Sequence, residues 1–241
     1  MATALHFRSA SRTHAGNVRT ENQDAVLALD GNGLWAVSDG VGGLARGEVA
    51  SAAVIETLDR GASSASVDRA LLCTLLEEAN RTILEIAKKH APGQGMAATA
   101  AVLSTVGERY FCAWAGDCRV YRFDGEKLIQ LTHDHRFVQE LIDRGMLDEK
   151  AARSHPRRNV VTRALGVDDA LLIDECEGAV AAGDVFVLTT DGVTGVLEDG
   201  EIVRLLKGSS PQEAVDAMMA SCLERTASDN LSVIVVRAET A

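Results

Sequence analysis

The sequence has few of the residues that build disulfide-rich, metal–thiolate or membrane-spanning proteins. Its five cysteines are odd in number, scattered, and never arranged as a close ligand or redox pair, so reduced thiols are expected. No apolar run approaches the ~20 residues that cross a bilayer, and the first residues lack the apolar stretch of a secretory signal. We therefore expect a soluble, cytoplasmic protein.

Basic residues are also in short supply. The chain carries 24 Lys and Arg against 35 Asp and Glu, a net charge of -11. This balance argues against the phosphate-neutralising surface that nucleic-acid binding requires. Only three prolines occur, and no linker or low-complexity segment divides the 241 residues. One domain spanning residues 1–241 is predicted, long enough to bury a substantial core.

Strand-like and helix-like stretches are grouped rather than strictly alternating. β-type runs occur at 25–29, 34–37, 100–103, 110–115, 120–123, 171–173, 185–190 and 231–236. Helical periodicity covers 47–58, 67–88 and 212–225. A parallel doubly wound sheet would need one helix between successive strands, so the pattern predicts an α+β protein with antiparallel sheets covered by helices.

Carboxylates stand where several of these strands begin or end: Asp39, Asp117, Asp191 and Asp229. Aspartate is rare inside strands, and several carboxylates meeting at one sheet edge need cations to offset their repulsion. A set of aspartates without grouped Cys or His suits Mg²⁺ or Mn²⁺. Glycine follows Asp39 and Asp191, which fits backbone close to a metal. Taken singly each Asp-Gly is an ordinary turn signal; the repetition favours a site.

Seven motifs in order resemble those of the type 2C, or PPM, family of metal-dependent serine/threonine protein phosphatases in its bacterial form. They lie at residues 16–24, 38–43, 115–119, 131–135, 159–166, 190–192 and 228–230. The resemblance covers nearly the whole chain. It implies a β-sandwich of two antiparallel sheets flanked by helix pairs, an α-β-β-α arrangement. It also implies hydrolysis of phosphoserine and phosphothreonine by a hydroxide that bridges two metal ions.

The resemblance assigns roles residue by residue. Asp39 would bridge two Mn²⁺ or Mg²⁺ ions, the Gly40 carbonyl would bind one of them, and Asp191 and Asp229 would bind the other. Asp24 would act through a metal-bound water. These assignments predict a binuclear metal centre.

The resemblance also implies contacts beyond the two ions. Arg19 would grip the substrate phosphate, although an arginine near acids is usually a surface ion-pair partner. Asp117, and more weakly Asp134, match acids near a third cation. Residues 145–159 resemble a flap beside the active site, with a solvated connector as the alternative. The implied partners are phosphorylated proteins and a cognate serine/threonine kinase, and a monomer is expected.

Some features depart from the family or leave other functions open. Val41 stands where many eukaryotic members have a histidine proposed as general acid, so no general acid is assigned. A catalytically idle phosphoprotein-binding module would be expected to lack a metal acid, and none is missing. A phosphotransfer domain with Asp39 or Asp191 as nucleophile would need a paired acid or lysine, which is not found. Dinucleotide binding at residues 39–43 has the wrong glycine spacing.

Overall fold

The computed structural model describes residues 5–41, 44, 46–62 and 66–240, so Gly42 and Gly43 of the second motif lie outside the described residues. Within them the strands are β1 (Leu5–His14), β2 (Asp24–Leu29), β3 (Leu34–Gly40), β4 (Ala98–Val106), β5 (Arg109–Ala115), β6 (Arg119–Phe123), β7 (Leu128–Gln130), β8 (Asp174–Ala179), β9 (Val185–Thr189) and β10 (Leu231–Thr240). The α-helices are α1 (Gly47–Ala62), α2 (Arg69–His90), α3 (Phe137–Asp143), α4 (Glu149–Arg153), α5 (Asp191–Thr194), α6 (Asp199–Leu206) and α7 (Pro211–Glu224).

The strands form two five-stranded antiparallel sheets. The first has the order β1-β10-β9-β6-β7 and the second β2-β3-β4-β5-β8. Neighbouring strands within each sheet run antiparallel, including the long pairing of β1 with β10. The predicted antiparallel class is confirmed.

Apolar residues fill three spaces between layers. Trp35, Phe186 and Ile234 belong to the core between the two sheets. Leu58 and Leu76, from α1 and α2, belong to the core on the outer face of the second sheet. A third core joins the first sheet to α6 and α7. The layers therefore stack helix, sheet, sheet, helix, as the resemblance implied.

Helix α2 shows why the covering helices form where they do. Its residues Leu72, Leu75, Leu76 and Ile83 recur at helical spacing and are buried. Each buried leucine contributes about 1.5–3 kcal/mol relative to an exposed one. Asp68 caps the first turn by accepting a hydrogen bond from the Leu71 backbone N–H at 2.9 Å. An apolar stripe and a polar cap together place this helix against the sheet.

Several elements differ from the sequence expectation. The strand expected at 171–173 is wrong, because the strand that pairs with β5 is β8, residues Asp174–Ala179. β8 alternates partly buried and exposed side chains and carries acids on its exposed face, so its composition concealed it. The edge strand β1, the short β7 and the helices α4 to α6 were not predicted. Short elements and edge strands give weak hydrophobic patterns.

Helix length also bears on the membrane question. Among the residues that the structure describes, no helix is both long and apolar enough to cross a bilayer.

Candidate metal centre

A cleft of about 360 Å³ opens where strands of both sheets end. The second sheet supplies Asp39 from the end of β3, and Asp117 follows β5. From the first sheet, Asp191 comes after β9 and Asp229 lies before β10. The other lining residues are Arg19, Gln23, Gly40, Val41, Thr99, Asn159, Val161 and Asn230. The structure thus brings the four strand-end acids into one cleft.

Asp24 lies beside Asp39 because β2 and β3 pair in a register that sets these two residues opposite each other. Asp24 Oδ2 accepts hydrogen bonds from Thr190 Oγ1 at 2.8 Å and Ser232 Oγ at 2.7 Å. Its Oδ1 is buried without a hydrogen-bond donor. Burial raises the pKa of Asp24 to about 6, opposed by the hydrogen bonds from Ser232 and Thr190. A second buried acid therefore stands directly behind Asp39.

The strand-end acids also disfavour one another's charge. Burial and the neighbouring Asp24 and Asp191 raise the pKa of Asp39 well above its usual value. Burial and Asp117 raise the pKa of Asp191 to about 7, although the nearby Arg136 opposes the shift. A bound cation stabilises the ionised form of carboxylates whose pKa values are raised in this way. The donor set therefore fits hard divalent ions such as Mg²⁺ or Mn²⁺.

Two arginines partly neutralise the cluster. Arg136 donates from Nε to Asp117 Oδ2 at 2.6 Å and from Nη2 to Asp191 Oδ2 at 3.1 Å. Arg19 donates from Nη2 to Asp229 Oδ2 at 3.1 Å. In the described part of the chain, no three acidic, His or Cys side chains stand close enough to hold an ion as they are placed.

The two glycines after Asp39 and Asp191 are explained by backbone packing. A Cβ on Gly40 would lie 2.5 Å from the Gly47 carbonyl carbon. A Cβ on Gly192 would lie 1.9 Å from the Asn230 carbonyl oxygen. Both contacts are with main chain of another segment, so the interpretation of these glycines as room for a metal is not needed. The Gly40 carbonyl as a ligand stays a prediction.

Asn230 orders the segment that carries Arg19, and sequence reasoning gave it no role. Its Oδ1 accepts from the Gln23 N–H at 2.8 Å. Its Nδ2 donates to the carbonyls of Ala15 at 3.1 Å and Glu21 at 2.8 Å. An amide side chain can both donate to and accept from the backbone. The position of Asn230 directly after the cleft acid Asp229 was therefore the sequence signal that could have predicted this bracing role.

Asp134 is held by other side chains outside the cleft lining. Its two oxygens accept from Arg119 Nε at 2.8 Å and Nη2 at 2.7 Å. Gln130 Nε2 adds a third hydrogen bond at 3.1 Å. This bidentate pairing occupies the carboxylate that the resemblance placed weakly near a third cation.

His135 positions the turn that leads to Asp117. Its Nδ1 accepts from the Gly116 N–H at 3.0 Å, and its Nε2 is 3.2 Å from Asp174 Oδ2. Burial lowers the pKa of His135, which favours the neutral ring that can accept at Nδ1. A Cβ on Gly116 would lie 2.3 Å from Thr99 Cβ, and its φ of 120° favours glycine.

The segment predicted as a flap, residues 145–159, contains α4 and ends at the cleft. Asn159 and Val161 line the cleft. Arg153 pairs with Glu198 at 2.7 Å on the surface, and the Arg157 guanidinium lies 3.6 Å from the centroid of the Phe137 ring. Arg157, near the end of the segment that reaches the cleft, is therefore stacked on Phe137 of α3.

The structure is a four-layer sandwich with an acidic cleft at the ends of its sheets. The family model described as Protein phosphatase 2C matches residues 11–235, and the chain belongs to that family. The relatives include "Serine/threonine protein phosphatase PstP" of Mycobacterium tuberculosis, 32% identical over 241 residues. That alignment covers 96% of this chain and 45% of the relative, so the chain spans under half of the relative's length.

Solved structures show the same similarity over the whole fold. PppA, titled a key regulatory component of T6SS in Pseudomonas aeruginosa, has a TM-score of 0.86 and 36% identity, covering 97% of this chain and 98% of that one. The catalytic domain of PstP in complex with 2 manganese ions has a TM-score of 0.89 and 29% identity, covering 98% and 99%. The predicted family and α+β fold are confirmed.

Proposed function

We propose that this chain is a metal-dependent protein serine/threonine phosphatase that hydrolyses phosphoserine and phosphothreonine in proteins. One observation carries the proposal: Asp39, Asp117, Asp191 and Asp229 line a single cleft together with Arg19, in a member of the protein phosphatase 2C family. The relatives named as serine/threonine phosphatases support the same reaction.

The cleft acids are the proposed ligands of two Mn²⁺ or Mg²⁺ ions. Asp39 would be shared by both ions, with the Gly40 carbonyl on one and Asp191 and Asp229 on the other. When bound, the ions supply Lewis acidity that stabilises charge at phosphorus and lets water ionise near neutral pH. The manganese found in the PstP catalytic domain and the raised pKa values of Asp39 and Asp191 support this assignment.

Asp24 is proposed to act through a water at the metal centre, as the resemblance implies. Thr190 and Ser232 fix its Oδ2, which leaves Oδ1 without a donor in the interior. In the metal-free protein, burial raises the pKa of Asp24 to about 6. Its place opposite Asp39 in the strand register lets it respond to charge at the centre.

Arg19 is proposed to bind the substrate phosphate. Its side chain is 50% exposed at the cleft and its fork faces Asp229. When Asp229 turns toward an ion, the guanidinium becomes available for two phosphate oxygens, a geometry that arginine matches well. Ion binding and phosphate binding would then support each other.

Protonation of the leaving serine or threonine oxygen is not assigned to a histidine. Val41 lines the cleft, and no histidine is among the described lining residues. His133 instead pairs with Asp143 at 2.8 Å on the surface, and His135 holds the Gly116 turn. Water in the cleft is the remaining donor on this chain's geometry.

The wider setting is proposed on the same basis. Phosphorylated proteins are the substrate class, and a cognate serine/threonine kinase, a cytoplasmic location and a monomeric state stay predictions. Residues 1–241 are proposed to act as one catalytic domain, since both sheets contribute acids to the cleft and the family match spans residues 11–235.

Phosphate release from a phosphothreonine peptide tests the proposal. We expect activity with Mn²⁺, loss in excess chelator, and a larger loss for Asp39→Asn than for Asp117→Asn at saturating Mn²⁺, because Asp39 serves both ions. Asp169→Asn, at an exposed position, is the matched control and should retain activity. No activity in fully loaded protein, or trapping of a reduced aspartate by borohydride, would contradict direct hydrolysis.

A further inference from the structure

Arg136 places a fixed positive charge among the cleft acids. Its guanidinium bridges Asp117 and Asp191 through the hydrogen bonds of 2.6 and 3.1 Å, and its Nε lies 3.8 Å from Asp134 Oδ2. The side chain is only 17% exposed. A guanidinium this enclosed, with two carboxylate partners, is a counter-ion belonging to the cleft rather than a surface ion pair.

Main-chain contacts between residues 135–137 and 160–162 hold the backbone of Arg136 next to the cleft acids. Arg136 forms an antiparallel bridge with Val161 and stands at the N-cap of α3. The Phe137 N–H donates to the Val160 carbonyl at 2.9 Å. The Thr162 N–H donates to the His135 carbonyl at 2.8 Å. These contacts fix the position of the Arg136 main chain, and the hydrogen bonds to Asp117 and Asp191 hold its guanidinium.

The contacts of Arg119 show that Asp134 is not the main partner of Arg136. Asp134 already has a bidentate partner in Arg119, with hydrogen bonds of 2.7 and 2.8 Å. The shorter contacts of Arg136 are to Asp117 and Asp191 instead. Arg136 therefore partly neutralises Asp117 and Asp191 rather than Asp134.

A divalent ion placed between Asp117 and Asp191 would meet that guanidinium. The ion and the guanidinium would share the same two carboxylates, and like charges a few ångströms apart repel. Arginine does not lose its proton in proteins, so the repulsion persists at every working pH. The hydrogen bond to Asp191 uses Oδ2, which leaves Oδ1 without a bond to Arg136.

We propose that Arg136 is a built-in cation that takes the place of a third divalent ion between Asp117 and Asp191. The inference rests on the proposed binuclear function and refines it. The loaded protein would hold two ions, on the side of Asp39 and Asp229, and Arg136 would be a positioning residue for Asp117 and Asp191.

Counting bound Mn²⁺ in the full chain tests this without relying on activity. Equilibrium dialysis with elemental analysis, and electron paramagnetic resonance of free Mn²⁺, give stoichiometry and affinity. We expect the natural protein to bind two Mn²⁺ ions and Arg136→Met to bind three. The affinity for the third ion should be at least tenfold higher in Arg136→Met than in the natural protein. Arg136→Lys keeps the charge and should bind two. Arg136→Met combined with Asp117→Asn should lose the third ion.

Other outcomes overturn the inference. Three ions in the natural protein with an unchanged weakest affinity in Arg136→Met would do so, as would a third ion that survives Asp117→Asn. If Arg136→Met does not fold, as judged by circular dichroism, Arg136→Gln removes the charge with a polar side chain and is subject to the same criteria. If the natural protein hydrolyses the peptide but Arg136→Met binds the same number of ions as the natural protein, this inference alone is refuted. If the ion counts are as expected but the peptide is not hydrolysed, the proposed function alone is refuted.

Discussion

Replacing Asp39 by asparagine should stabilise the metal-free protein while abolishing its response to metal. Asp39 is held among Asp24, Asp191, Asp117 and Asp229, and burial together with these neighbours raises its pKa well above the usual value. Asparagine has nearly the same shape and carries no charge. The substitution therefore removes a repulsive group without leaving a cavity.

The size of the effect follows from proton linkage. The folded pKa of Asp39 lies above its unfolded value, so the folded state binds the proton more tightly, and stability is lost as pH rises from the unfolded pKa toward the folded one. The loss is up to about 1.4 kcal/mol per pH unit in that window. For a chain of this length, that corresponds to roughly 3–6 °C in melting temperature per unit. Asp39→Asn does not lose stability in this way. The difference in free energy of unfolding between Asp39→Asn and the natural protein should therefore grow with pH.

Thermal unfolding followed by circular dichroism, in excess chelator from pH 5.5 to 8, measures the difference. Asp169→Asn, which changes an exposed aspartate, is the control and should track the natural protein. Adding Mn²⁺ should reverse the order, because ligand at a hundred times its dissociation constant stabilises by about 2.7 kcal/mol and Asp39→Asn would bind little. A metal-free Asp39→Asn protein that is less stable at pH 8, or an advantage independent of pH, would refute the reasoning.

Three further changes test the framework around the cleft. Asn230→Ala removes three hydrogen bonds to backbone and should lower the free energy of unfolding by about 3 kcal/mol in urea titration; a loss under about 1 kcal/mol would contradict its bracing role. Gly192→Ala places a Cβ 1.9 Å from a carbonyl oxygen and should lower the free energy of unfolding by more than about 3 kcal/mol. Gly200→Ala is the control, because a Cβ there has nothing within 4 Å, and it should be neutral or stabilise by up to about 1 kcal/mol. Thr190→Val removes a hydrogen bond that lowers the pKa of Asp24, so carboxyl NMR titration of metal-free protein should find that pKa above about 6; a fall would contradict the contact.

The fold class and the cleft acids could be predicted because their signals are local and repeated. Apolar runs ending in acidic turns marked β3 and β9, and their Asp39 and Asp191 do line one cleft. The amphipathic stripe of α2 predicted a helix against a sheet, and Leu76 is fully buried there. Each of these patterns repeats along one short segment, which is what sequence periodicity can report.

The partners of the acids could not be predicted because they come from distant segments. Arg136 reaches Asp117 and Asp191, which lie 19 and 55 residues away along the chain. Asn230 holds the carbonyl of Ala15 across 215 residues. No periodicity encodes such pairs; the sheet register and loop packing create them. The edge strand β8 was misplaced for the same reason, since pairing with β5 defines it more than composition does.

The two arginines that pair with cleft acids differ in their exposure and in how their main chain is held. Arg19 is half exposed, on a segment tied down through Asn230, so its side chain can leave Asp229 for solvent or phosphate at little cost. Arg136 is enclosed, and a backbone bridge to Val161 holds it in place. Breaking an enclosed pair leaves an uncompensated charge, which costs about 3–5 kcal/mol. Under the proposed arrangement of two ions and one guanidinium, divalent ions should displace Arg19 from Asp229 and leave Arg136 on Asp117.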